Sequence, residues 1–298
     1  MFSFFPLIPA AKHTVRGAIK SRFVSIEGRR SRAIPIYAAL VLAGVLTVAP
    51  FGLGLLTSVT SARQFATGTP LALPDPATLA NYTALGGAGF GRAILVTALM
   101  TAIITIGQLT FSVLAAYAFA RLEFPGRDAL FWVYVATLMI PATVTVVPLY
   151  LMMAELGLRN TFWALVLPFL FGSPYAIFLL REHFRAIPAD LLHAARLDGA
   201  NTLDVIVHVV LPISRPILAT LTLITVVSQW NSFMWPLVIT SGATWRVLTV
   251  ATAGLQSQYN AQWTLVMAAT TVAIAPLVVL FAVFQRHIVA SIVVTGLK

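Results

Sequence analysis

The residues able to do chemistry crowd into one stretch, HAARLDGANTLDVIVHVVLP, from His193 to Pro212. It carries two imidazoles (His193, His208), two carboxylates (Asp198, Asp204) and the guanidinium of Arg196. The pattern supports no familiar catalysis. None of the five histidines, His13, His183, His193, His208 and His287, belongs to an HExxH pair able to hold zinc, and the chain has no GxxxxGK[ST] phosphate loop. The absence of cysteine removes thiol nucleophiles, disulfides and Cys-ligated metals together. The glycines of GGAGFG, Gly86 to Gly91, precede an apolar run rather than following a strand, so they read as a flexible turn. No catalytic residue, bound cofactor or metal is therefore expected, and a membrane enzyme acting on lipid finds little support.

The elements around this stretch are of another kind. Of 298 residues, 59% are hydrophobic and 9% charged, with a mean hydropathy of +0.91. A soluble domain carries about 25% charged residues, so the solvent for most of this chain is lipid. A membrane helix needs about 20 mostly apolar residues. Six segments qualify: 34–57, 92–119, 129–153, 161–180, 212–239 and 264–284. The expected fold is an all-α membrane protein of six transmembrane helices, preceded by a basic segment over residues 1–33 that lies in the cytoplasm. That segment begins MFSFFPLIPA and only then turns basic, the reverse of a secretory signal. Pro50, Pro141, Pro148, Pro168, Pro174 and Pro276 fall inside the apolar runs, where they are expected to kink or locally unwind them.

The net charge of +10 follows topology. With both termini cytoplasmic, only Arg63, Arg92, Arg159 and Arg246 lie outside and every other Lys and Arg lies inside, which is the positive-inside bias. The charge thus favours anionic lipid heads over nucleic acid. All nine acids fall in loops or at span ends. Ion-coupled pumps usually bury carboxylates, so a secondary transporter with its own ion coupling is the alternative reading rather than the leading one. Energy for uphill transport would come from another chain.

Within residues 187–216 the local signals are helical. Pro188 suits a first helical turn, Asp190 matches the positive end of the helix dipole, and Leu191, Leu192, Ala195 and Leu197 form an apolar side. Gly199 is placed to close this helix in a left-handed conformation. Asn201 can cap a second helix, with Asp204 in the capping-box position, and Leu211-Pro212 would open the next span. An ordinary amphipathic loop lying on the lipid surface has the same composition.

The spacing also resembles the membrane subunits of binding-protein-dependent ABC importers, whose motif is EAA, three residues, Gly, nine residues, Ile, one residue, Leu-Pro. Here His193-Ala194-Ala195 is followed by Arg196 to Asp198, Gly199, the nine residues Ala200 to His208, then Val209, Val210 and Leu211-Pro212. AYAFARLEFPGRD (Ala116 to Asp128), LMIPATVTVVPLYLMMAELGLRNT (Leu138 to Thr161) and WNSFMWPL (Trp230 to Leu237) look like the maltose-type, carbohydrate-importing branch.

The resemblance implies a type I importer permease fold with cytoplasmic coupling helices at 187–211. It implies a bacterial plasma-membrane location, a second permease subunit, a cytoplasmic ATPase dimer that holds the ATP and magnesium, and an extracytoplasmic solute-binding protein. His193, Ala194, Ala195, Arg196, Asp198, Gly199, Leu211 and Pro212 would then couple to the ATPase. His193 stands where the family has an anionic Glu. Trp230, Asn231, Phe233 and Trp235 are candidates for the path of a sugar or sugar-like solute, with interhelical packing as the other reading. Tyr82, Tyr150, Gln229, Gln256 and Gln258 are further conceivable contacts, and the outer loop 240–262 is a surface for the solute-binding protein.

Overall fold

A computed structural model describes residues 14–69, 72–256 and 262–295, with side chains over 34–69, 72–256 and 262–284. Of the basic segment 1–33, residues 1–13 lie outside the described residues, as do Gln258 and Lys298. The chain divides into two units, Met1–Gly54 and Leu55–Lys298.

The elements are helical throughout the described residues: α1 (Thr14–Ser58), α2 (Ala62–Thr67), α3 (Ala80–Gly87), α4 (Phe90–Arg121), α5 (Arg127–Ala136), α6 (Ala142–Glu155), α7 (Phe162–Leu170), α8 (Pro174–Ala186), α9 (Ala189–Leu197), α10 (Thr202–Val205), α11 (Leu211–Ile213), α12 (Arg215–Trp230), α13 (Met234–Ile239), α14 (Leu248–Gly254) and α15 (Trp263–Thr295). Four stretches are long and apolar enough to cross a membrane: Ile34–Ser58, Phe90–Arg121, Phe162–Ala186 and Trp263–Phe284. Two bent pairs, Arg127–Met139 with Ala142–Glu155 at 103° and Thr202–Ile213 with Arg215–Trp230 at 84°, bring the number to six if each is one span.

The expected third and fifth spans are therefore not continuous helices. Proline sets most of the breaks, because it lacks an N–H and its ring collides with the carbonyl four residues back. Pro141 follows the end of α5 and a short 3₁₀ turn at Thr137–Met139, and it holds Ile140 extended at φ −82°, ψ 116°. Pro174 opens α8 four residues after α7 ends at Leu170. Pro216 is in the first turn of α12, and the bend falls at Ser214. Leu211-Pro212, expected to open the fifth span, lies in the arm before the bend, and α12 begins after it at Arg215. Pro236 follows the gap between α12 and α13, where residues 231–233 leave the helix. By contrast, helices run on through Pro50, Pro148, Pro168 and Pro276. The GGAGFG turn is shorter than its glycine content suggests: Gly86 and Gly87 are helical, and only Gly89 turns left-handed, at φ +74°, to start α4.

In the larger unit α4 is the central element. Its positions 97, 101, 105, 108 and 112 recur at helical spacing on one face, and three of them secure broken elements around it. Thr97 Oγ1 accepts from the Leu248 N–H at 2.8 Å, at the start of α14. The Gln108 amide donates to Phe169 O at 3.4 Å and accepts from Thr225 Oγ1 at 3.3 Å. Ser112 Oγ accepts from the Ser173 N–H at 3.0 Å, in the gap between α7 and α8. A membrane interior offers no water to a freed backbone group, so side chains of α4 take its place. Large apolar residues such as Leu99, Ile106, Val147 and Phe281 stay exposed, as lipid-facing positions require.

Candidate functional site

The polar stretch forms an elbow. Helix α9 ends in a complete Schellman motif: the Ala200 N–H bonds Ala195 O and the Gly199 N–H bonds Arg196 O, both at 3.0 Å, with Gly199 at φ +87°. Asn201 then makes the expected capping box. Its Oδ1 accepts from the Leu203 and Asp204 N–H groups at 2.8 and 3.0 Å, and the Asn201 N–H donates to Asp204 Oδ2 at 3.1 Å. Beyond α10 the backbone widens into one π turn over Ile206–Val210, with the Leu211 N–H bonded to Ile206 O. Pro212 supplies the cause, since it cannot donate to His208 O and its ring displaces that carbonyl. Replacing Asn201 by alanine removes the cap at a cost of about 1 kcal/mol. Limited proteolysis within residues 198–203 is expected to speed up about fivefold.

Ile187, Leu192, Val205, Ile206 and Val210 pin the elbow to a core that also holds Tyr117, Leu180 and Phe184. The apolar side expected of α9 is divided: Leu192 is buried and Ala195 half-buried, whereas Leu191 is exposed and Leu197 is 90% exposed. Leu197 immediately precedes the cap, and Ala200 beyond the turn packs back against the core. Leu203, 61% exposed, follows on the second arm. His193, Ala194, Arg196, Asp198 and Gly199 are likewise exposed, Pro212 is exposed and Leu211 is half-buried.

Two arginines that charge counting treated only as topology signals tie α8, which leads into the elbow, to its neighbours. At the end of α4, Arg121 donates to Phe184 O, which also accepts from the Ile187 N–H, and to Ile187 O, where α8 stops. Arg181, only 7% exposed, lies 4.0 Å from the centroid of the Phe131 ring. It pairs with Glu182 at 2.8 Å and Asp128 at 3.3 Å, and donates to Phe119 O. A buried guanidinium needs such a full set of partners. Arg121 and Arg181 thereby join α8 to α4 and α5 next to the elbow.

A second feature lies where α12 breaks. A cavity of about 330 Å³ is lined by the start of α6, by Phe169, and by residues 228, 229 and 232–235. Of the four path candidates from sequence, Phe233 and Trp235 line it. Trp235 is 5% exposed and its indole donates to Ala164 O at 3.0 Å. Trp230 is 8% exposed, donates to Ala273 O at 3.0 Å and packs in another cluster. Asn231 is exposed, with its amide on Val227 O. Packing accounts for both indole N–H groups. Gln229 lines the cavity, and so do Thr143, Ser228 and Ser232, which sequence reading passed over because lone hydroxyls in apolar runs carry no pattern. Among the described residues no cluster of His, Asp or Glu is suited to hold a metal.

Comparison with known proteins places these features. Residues 108–294 match the family described as binding-protein-dependent transport system inner membrane component. The chain is similar to the sn-glycerol-3-phosphate transport system permease protein UgpE of Yersinia pestis bv. Antiqua (strain Antiqua), with 34% identity over 280 residues, 90% of this chain and 98% of the relative. It is similar to the diacetylchitobiose uptake system permease protein NgcG of Streptomyces coelicolor (strain ATCC BAA-471 / A3(2) / M145), with 31% identity over 276 residues, 91% of each chain. Its fold matches a chain of a bacterial ABC transporter involved in import of the acidic polysaccharide alginate, with TM-score 0.78 and 25% identity over 87% of this chain and 97% of that one.

Proposed function

The chain belongs to the family of binding-protein-dependent transport system inner membrane components, and from that premise we propose that it forms half of the translocation path of an ATP-driven importer for a sugar or sugar-like solute. Family membership makes it a non-catalytic, multi-pass membrane subunit. In our reading a second permease completes the path. A cytoplasmic ATPase dimer holds ATP and magnesium, and a solute-binding protein delivers cargo from outside. In this reading the elbow and both termini face the cytoplasm, which the positive-inside distribution of Lys and Arg supports.

The observation that carries the coupling role is an apolar tip on a rigid support. Leu197 and Leu203 stand in solvent at 90% and 61% exposure, on an elbow closed by two backbone caps and tied to α4 through Arg121. A flexible loop would absorb a push, whereas a capped helix pair passes it on. Closure of the ATPase dimer would move the tip, and Arg121 and Arg181 would carry that movement into the spans. The His193 imidazole is exposed and has no hydrogen bond among the described residues, so docking would rest on shape and on Arg196 and Asp198 rather than on the anion found in the family motif.

The test is reconstitution of the full complex in proteoliposomes. ATP hydrolysis is expected to rise when solute-loaded binding protein is added. Uptake that persists without ATP and collapses with an ion gradient would contradict the proposal.

A further inference from the structure

We propose that ordered water is bound between α4 and α12, held by the hydroxyls of Thr101 and Thr105 near the middle of α4, and that it bridges α4 to the last turn of α12. The site is separate from the elbow and from the open cavity at the α12 break, and it stands whatever the solute is.

Thr101 is 4% and Thr105 6% exposed, and neither Oγ1 has a hydrogen-bond partner among the described residues. A threonine inside a helix can meet this need alone, by donating to the carbonyl four residues back. Thr97 and Thr110 of the same helix do so at 2.8 and 2.7 Å, and Thr222, Thr252, Thr270 and Thr271 do so in other helices. Thr101 and Thr105 depart from that habit, so their hydroxyls are turned away from their own backbone. A buried hydroxyl without a partner is costly, and here two stand on adjacent turns. Water is the usual partner of such groups in protein interiors.

What the two hydroxyls face follows from register. Positions 101, 105 and 108 fall within about 60° of one another around the α4 axis, and Gln108 accepts from Thr225 Oγ1 of α12 at 3.3 Å. The two helices run antiparallel: Leu221 shares a buried cluster with Val113 and Tyr117, whereas Trp230 shares another with Ile94 and Ala98. Thr101 and Thr105 are therefore level with the turn of α12 from Thr225 to Trp230, where the helix ends. Carbonyls at a helix end lack intrahelical donors, and a water between them and a threonine hydroxyl serves both. Ser228 and Gln229, one turn beyond Thr225, line the cavity of about 330 Å³ and give water a route inward. A metal cation suits the site less well, because neither α4 nor α12 contains a carboxylate to balance its charge. Held in this way, the last turn of α12 fixes one wall of the cavity against α4.

Thr101→Val and Thr105→Val, which keep the side-chain shape and remove the hydroxyl, test this in the full-length protein. A cryo-EM map fine enough to resolve ordered water is expected to show density within hydrogen-bond distance of both hydroxyls. Thr105→Ser should keep the density at position 105, and Thr105→Val should lose it. Each valine is expected to lower the melting temperature of the solubilised protein by roughly 2–4 °C, since it strands the water and the groups the water serves. A dry contact predicts the opposite sign, because valine would then relieve a hydroxyl that has no partner. A rise in melting temperature with either valine, or a map without density at both hydroxyls, overturns the inference and leaves the transport reading standing.

Discussion

Gly199→Val is expected to cut co-purification of the ATPase by about five- to thirtyfold while the membrane-spanning bundle stays folded. The reason is backbone strain and not collision. A Cβ built on Gly199 meets nothing within 4 Å, yet the residue sits at φ +87°. A β-branched residue in the left-handed region costs about 1–2 kcal/mol, and about 1.4 kcal/mol is a tenfold change in an equilibrium. The chain relieves that strain by giving up the Schellman bonds from Ala200 to Ala195 and from Gly199 to Arg196. The first arm then loses its fixed direction, and Leu197 with it. Leu192 and Val205 keep the rest of the elbow in the core, so the damage stays local. His193→Ala is expected to be milder, because the imidazole is exposed and has no hydrogen bond among the described residues. Pull-down of the ATPase with each variant measures the difference, and normal association of Gly199→Val would show that elbow geometry is not what the ATPase reads.

The largest loss of stability is expected from Gly107→Val. A Cβ at Gly107 would stand 2.4 Å from Leu170 Cδ1 and 2.9 Å from Leu170 O. The leucine tip can turn aside, but the carbonyl cannot. It ends α7, and its neighbours are held by Gln108 on Phe169 O and by Ser112 on the Ser173 N–H. Helices α4 and α7 must therefore separate, and overpacking of this kind costs about 1–3 kcal/mol. The melting temperature of the solubilised protein should fall by roughly 2–10 °C, with Gly107→Ala intermediate. An unchanged melting temperature would mean that the two helices are not in close contact at this point.

What could be seen in the sequence divides by range. The cap at Gly199 and the capping box of Asn201 and Asp204 were legible because each is closed by atoms within a few residues of itself. Most of the helix breaks were legible in principle, since the carbonyl four residues before each of Pro141, Pro174, Pro216 and Pro236 marks where a helix cannot continue. Pro236 was hidden by its apolar surroundings and Pro216 by the long apolar run that follows it, and this is why the fifth span read as one helix from Pro212 to Ile239. Long-range partners were invisible. Nothing near Trp235 signals that its indole N–H is satisfied by Ala164, and nothing near Arg121 signals Phe184 and Ile187. The same holds for Gly107, whose importance lies wholly in the approach of Leu170. The hydroxyls around Gln229 line one cavity only because the α12 break and the start of α6 are neighbours in space.

Because the chain has no cysteine, Leu197→Cys introduces the sole thiol of this subunit, at the tip of the elbow, and makes the coupling claim directly measurable. In the assembled complex that thiol is expected to be shielded from a water-soluble maleimide and to cross-link to the ATPase, while the same thiol in the ATPase-free subunit labels freely. Equal labelling with and without the ATPase, or no cross-link from Leu197→Cys and Leu203→Cys alike, would contradict the account.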